Sequence, residues 1–185
     1  DLDIYYQSDK FKQLLRRYEE LQEDNISEFL DPEELTDVAE YYHYIGEDNK
    51  ALETVDYAIH MYPTATIPLS FKARLALFCN DDPQLADEIA EMIVDKTDLD
   101  YLYLKAEIMI VDNKAAEADD FLQSQYDEII SQEDREDYVL DVAALFSDYE
   151  ETEFVEKWLS RSTKTGDNDY KELRARVLKN HGKYK

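Results

Sequence analysis

The sequence predicts an all-α chain, folded as a solenoid of antiparallel helix pairs, and three observations carry that expectation. Alanine recurs at 39, 73, 106 and 143, inside windows that can be laid over one another: Thr36-Asp37-Val38-Ala39-Glu40, Phe71-Lys72-Ala73-Arg74, Leu104-Lys105-Ala106-Glu107 and Leu140-Asp141-Val142-Ala143-Ala144. Their spacing of 33 to 37 residues is the length of one helix-turn-helix unit, and Ala175 offers a fainter fifth recurrence. Three glycines and four prolines in 185 residues leave little room for the turns of a β fold.

The elements follow in order. Over 4–24, Phe11, Leu14, Leu15, Tyr18 and Leu21 share one helical face, as expected of a cap or of the second helix of an earlier unit. A polar connector, 22–31, leads to the first unit, 32–63. There Leu35, Val38, Ala39 and Tyr42 form a stripe, Gly46 stops the helix, and Ala51, Val55 and Ala58 form a second stripe that Pro63 closes. Small residues at 39 and 51 allow close approach of the two helices. The second unit, 66–96, has Leu69, Ala73 and Ala76, then a turn in which Asp82 caps a helix opened by Pro83, then Ala86, Ala90 and Ile93. The third, 98–129, has Leu102, Ala106, Met109, Asn113 in the turn, Ala118 and Leu122; the fourth, 134–162, has Val139, Val142, Ala143, Phe146, Val155 and Leu159. A partial fifth, 168–185, places Ala175 and Leu178 inward, and its Gly182 looks like the turn to a further helix. All of 1–185 reads as one array, expected to continue past Lys185 in the native protein.

The succession Leu35, Val38-Ala39, Tyr42, Gly46, Ala51, Val55, Ala58 and Pro63 resembles the tetratricopeptide repeat, with leucine in place of its usual tryptophan and valine for the aromatic of its second helix. Uncharacterised acidic bacterial members of that family are similar in character. The resemblance implies a right-handed superhelix whose first helices line a concave groove, and a non-enzymatic scaffold that binds a protein or peptide there. Groove positions would then be Asp37, Glu40, His43 and Tyr44 in the first unit; Phe71, Arg74 and Phe78 in the second; Tyr103 and Glu107 in the third; and Asp141 in the fourth. Glu33, Thr36, Ser70, Leu77, Asp100, Leu104, Ile110, Val111, Asp137, Leu140, Ser147 and Asp148 would face the groove as well. For Phe71, Phe78 and Tyr103, inter-repeat packing is an equal alternative, because a shift of one place carries them into the core. The basic clamp that holds acidic chaperone tails in one subclass is not matched, since Thr36 and Glu40 hold its lysine and asparagine places.

Forty-five acidic against twenty basic side chains, a net charge of -25, repel phosphate backbones and anionic membranes. A partner with an apolar anchor and basic flanks is the expected ligand, and nucleic acid is not. The charge also keeps exposed helix faces hydrated. Residues 161 to 185 reverse the sign, with eight basic and three acidic side chains, a face complementary to the acidic body or to a second copy of it. The alternative function is homo-oligomerisation, or assembly within a longer protein, through the helix left uncovered at the carboxy-terminal end of the solenoid.

No catalytic, cofactor or metal site is expected. The glycines are too scattered for a phosphate loop; His43, His60 and His181 form no pair on adjacent helix turns; and the single Cys79, in an apolar run, reads as a packed thiol. Asn25-Ile26-Ser27 matches a glycosylation acceptor of little weight. No segment has the apolar length to insert in a membrane, and no signal-peptide pattern opens the chain, so a cytoplasmic setting is expected. A chain that begins at Asp1 without methionine leaves room for a removed targeting segment.

Overall fold

Helices α1 (Leu2–Gln7) and α2 (Asp9–Asp24) open the computed structural model, which describes residues 1–24 and 29–183 and shows no strand among them. The single helix expected over 4–24 is broken at Ser8. Its hydroxyl donates to the Tyr5 carbonyl at 2.6 Å and accepts from the Phe11 amide at 3.2 Å, closing one helix and capping the next. The glycosylation tripeptide and part of the 22–31 connector lie outside the described residues.

The chain divides into two compact units, Asp1–Lys96 and Thr97–Lys185. In the first, α3 (Pro32–Tyr44), α4 (Asp48–Met61), α5 (Thr66–Cys79) and α6 (Pro83–Glu91) follow α2. Asp31 starts α3 with a reciprocal cap: its carboxylate accepts from the Glu34 amide at 2.7 Å, while the Glu34 side chain accepts from the Asp31 amide at 3.1 Å. Helix α3 packs on α2, α4 and α5, and α5 packs on α4 and α6. One apolar cluster joins Phe11, Leu14 and Tyr18 of α2 to Leu35, Val38 and Tyr42 of α3 and to Ala51 and Ala58 of α4.

The second unit holds α7 (Leu99–Val111), α8 (Ala115–Glu128), α9 (Arg135–Asp148), α10 (Thr152–Leu159) and α11 (Asn168–Lys183). Its contacts repeat the pattern: α7 with α8, α9 with α10, each pair's first helix on the next first helix, and each second helix on the next first. Trp158 and Tyr138 are fully buried here. The Tyr138 hydroxyl donates to the Leu122 carbonyl at 2.7 Å, so its polar end is satisfied inside the core.

Within each helix pair the turn contains one residue in the left-handed region: Gly46 (φ 83°), Asp81 (48°), Asn113 (61°) and Glu150 (56°). In three turns the amide after that residue reaches back five places, Glu47 to Tyr42, Lys114 to Met109 and Glu151 to Phe146, at 2.8–3.0 Å. The left-handed residue itself donates to the carbonyl three places earlier. These paired bonds satisfy the carbonyls that a helix end leaves open. In the Asp81 turn the reach is one residue longer, from the Asp82 amide to the Ala76 carbonyl at 3.1 Å, and Asp82 caps α6 through the Leu85 amide at 3.0 Å.

Ala39, Ala73, Ala106 and Ala143 are all wholly buried. The fifth recurrence is corrected: Ala175 faces solvent and Leu178 is 67% exposed, whereas Leu173 and Val177 are buried. Those two lie 34 places after Val139 and Ala143, so buried side chains keep the spacing where alanine does not. Gly182 does not turn the chain either. Helix α11 runs through it to Lys183, and the expected opening at Tyr184 and Lys185 lies outside the described residues. Cys79, expected to be packed, is exposed at the last position of α5.

Candidate functional site

In the first unit, the exposed flank of α3 and α5 collects most of the expected binding residues. Glu40, His43 and Tyr44 are exposed on α3; Phe71 and Arg74 are half-buried on α5, and Phe78 is 55% exposed. Residues 40, 43 and 44 share a face because they lie three and four apart, as do 71, 74 and 78. The Phe71 ring meets the His43 ring edge-on at 6.5 Å, and the Arg74 guanidinium donates to the Ser70 hydroxyl. Thr36, Ser70 and Leu77 are buried, a correction to their placement in the groove. The Thr36 hydroxyl donates to the Pro32 carbonyl at 2.7 Å, which lets a polar side chain turn inward.

Two expected groove residues are engaged by the chain itself. The Tyr5 hydroxyl donates to Asp37 at 2.7 Å, and the Tyr44 hydroxyl donates to Asp3. Tyr6 packs its ring 5.2 Å from Tyr41 and 5.1 Å from Tyr44. Burial, helped by the Asp37 carboxylate, pushes the Tyr5 phenol up to about 12, and burial followed by Glu40 and Asp37 does the same to Tyr6. Helix α1 thus lies along one side of this flank. Asp37 also borders a cleft of about 420 Å³, with Lys10, Arg17, Glu33 and Glu34 among its walls.

In the second unit the Tyr103 hydroxyl donates to Asp141 at 3.0 Å, which joins α7 to α9. Tyr103 is half-buried, with its ring 5.9 Å from that of Tyr138, and Glu107 is half-buried one turn further along α7. Desolvation holds the Asp141 carboxyl above its usual range; Asp137 and Asp169 add to this, and the Tyr103 bond opposes it. Leu104, Ile110, Leu140 and Ser147 are buried, so these expected groove positions belong to the core.

Two groupings escaped the sequence reading. Asp119 is only 3% exposed; it accepts from the Trp158 indole N–H at 2.7 Å and pairs with the Lys157 ammonium, locking α8 to α10. Nothing in the α8 pattern except its place beside Ala118 marks it as inward. The other is His43, Asp48 and Cys79, whose donor atoms all lie within 4.8 Å of one another on the surface of the first unit. The near neighbours of each in sequence offer no metal spacing; the signal lay in their places, each at a helix end beside a turn. Partial desolvation at the end of α5 pushes the Cys79 thiol up, with Asp48 adding to the effect, the opposite of what an activated nucleophile requires.

Comparison of the chain with models of protein families, with curated proteins and with solved structures returns no match. No helix among the described residues is long and apolar enough to cross a membrane.

Proposed function

We propose that the chain is a non-enzymatic scaffold built from tetratricopeptide-like helix pairs, and that it binds a peptide or protein segment on the exposed flank of α3 and α5. The observation that carries the reading is that Phe78 and Tyr44 are exposed on these two helices and Phe71 is half-buried against the exposed His43, with Glu40 on the same face of α3 as His43 and Tyr44. The four left-handed turns and the four buried alanines support a repeat architecture. An apolar anchor would settle against Phe78 and Phe71, and lysine or arginine flanks would meet the surrounding carboxylates. Aromatic anchors supply most of the affinity in such contacts, and acidic surroundings supply orientation.

Selection of peptides from a random displayed library against the immobilised protein tests it. Enriched peptides should combine an aromatic or aliphatic residue with basic neighbours, bind more weakly as salt rises, and lose at least about tenfold in affinity to Phe78→Ala. Enriched peptides whose affinity is unchanged by Phe78→Ala and by Arg74→Ala would remove the flank as the binding surface.

A second reading rests on α11, which presents Leu178 and Ala175 to solvent among Lys171, Arg174 and Lys179. That face suits association with the acidic body of a second copy. Mass in solution that stays monomeric from micromolar to millimolar concentration would count against it.

A further inference from the structure

We propose that His43, Asp48 and Cys79 form a surface site for a zinc-class divalent cation, which clips the α3–α4 turn to the end of α5. The His43 Nδ1 and Asp48 Oδ1 atoms are 2.9 Å apart, and the thiol of Cys79 completes a set of three donors within 4.8 Å. Ligands around a tetrahedral zinc, at bond lengths of about 2.0–2.3 Å, stand roughly 3.4–3.8 Å from one another. The three groups therefore need only small side-chain rotations, and all three are exposed. The backbone beneath them is held: Gly46 closes α3, Asp48 is the first residue of α4, and Cys79 is the last of α5 before the left-handed Asp81. The edge contact with Phe71 limits the swing of the His43 ring.

One imidazole, one thiolate and one carboxylate suit zinc, cobalt or nickel and not magnesium or calcium, which take oxygen ligands alone. Binding releases the thiol proton to solvent, and water fills the fourth position. The acidic surface raises the local cation concentration without selecting among cations.

The test is a titration of reduced, metal-free protein with Co²⁺ in a large excess of Mg²⁺, followed by absorbance. The expected result is one equivalent bound, with four-coordinate visible bands and a thiolate-to-cobalt charge-transfer band that Zn²⁺ abolishes. As Cys79 is the only cysteine, that band reports this site. Cys79→Ser should remove it, and His43→Gln and Asp48→Asn should each weaken Co²⁺ binding by at least about tenfold. Absence of the charge-transfer band from the wild-type protein, or wild-type affinity in both His43→Gln and Asp48→Asn, overturns the site. The wild-type titration decides even if a variant folds poorly.

Discussion

Glu150 sits where a glycine would be more comfortable. Its φ of 56° closes the α9–α10 turn in the way Gly46 closes α3–α4, and a side chain in the left-handed region costs about 1 kcal/mol. Glu150→Gly should therefore raise stability by about 0.5–1 kcal/mol despite the extra freedom of the unfolded chain, measured by urea unfolding. Gly46→Ala should lower it by about 1 kcal/mol; a Cβ at Gly46 meets nothing within 4 Å, so the loss would be backbone strain alone. Asp119 is the opposite kind of residue, buried and fully engaged. Asp119→Ala leaves the Trp158 indole unsatisfied and should cost about 3 kcal/mol, while Asp119→Asn keeps an acceptor and should cost less. Equal losses in the two variants would refute the hydrogen-bond account.

Two carboxylates of the second unit respond to acid in opposite senses. Glu136 is held below its usual range, chiefly by the Thr163 hydroxyl and, in part, by the Thr163 amide and the Ser162 hydroxyl. Its contribution is present above the unfolded-state value and is lost as pH falls through the lower folded one. Asp141 is held above its usual range, so its ionised form opposes folding and acidification relieves it. Asp141→Asn should accordingly raise the melting temperature at neutral pH and have little effect below pH about 4. A gain that persists in acid would point to packing instead.

At the scale of elements, α11 discriminates between two registers that look alike in sequence. Ala175 continues the visible recurrence, but Val177 and Leu173 are the buried residues of α11, which packs on α9 and α10. Val177→Asp should melt α11 away from its neighbours, whereas Ala175→Asp should be nearly silent. Amide exchange across 168–183 distinguishes them, and equal protection in both variants would reject this register. The other helices tolerate less in their small positions. Ala39, Ala73, Ala106 and Ala143 have no accessible surface, so an added leucine must push a neighbouring helix outward, at about 1–3 kcal/mol or more.

For the whole molecule, charge is the dominant variable. A net of -25 repels itself, and raising salt from about 0.01 M to about 0.15 M shortens the screening length from roughly 30 Å to roughly 8 Å. Thermal stability should climb over that range; a flat response would mean that the carboxylates are already neutralised by their partners. Alkali acts through the aromatic cluster. Tyr5, Tyr6 and Tyr42 ionise at about 12 in the folded chain, chiefly because burial disfavours the phenolate. Their stabilisation is intact below the unfolded value of about 10 and drains away as pH rises from there to about 12.

From residue spacing alone came the helical class, the turns at Gly46, Asn113 and Asp82-Pro83, and the buried faces of the four full helix pairs. Each is written in local terms, as a period, a cap or a side-chain volume. Spacing did not reveal the break at Ser8, although its hydroxyl was a capping signal in plain view, because no glycine or proline lies within 1–24 to mark a boundary. The side of a helix that meets solvent is equally hidden wherever apolar residues run on two faces, so Leu77, Leu104, Ile110 and Leu140 are buried and Cys79 is exposed against expectation. Tertiary structure alone brought Asp119 to Trp158, Tyr5 to Asp37, and Cys79 to His43 and Asp48. These groups are 39, 32 and at least 31 positions apart, and only the packing of one helix pair on the next closes such distances.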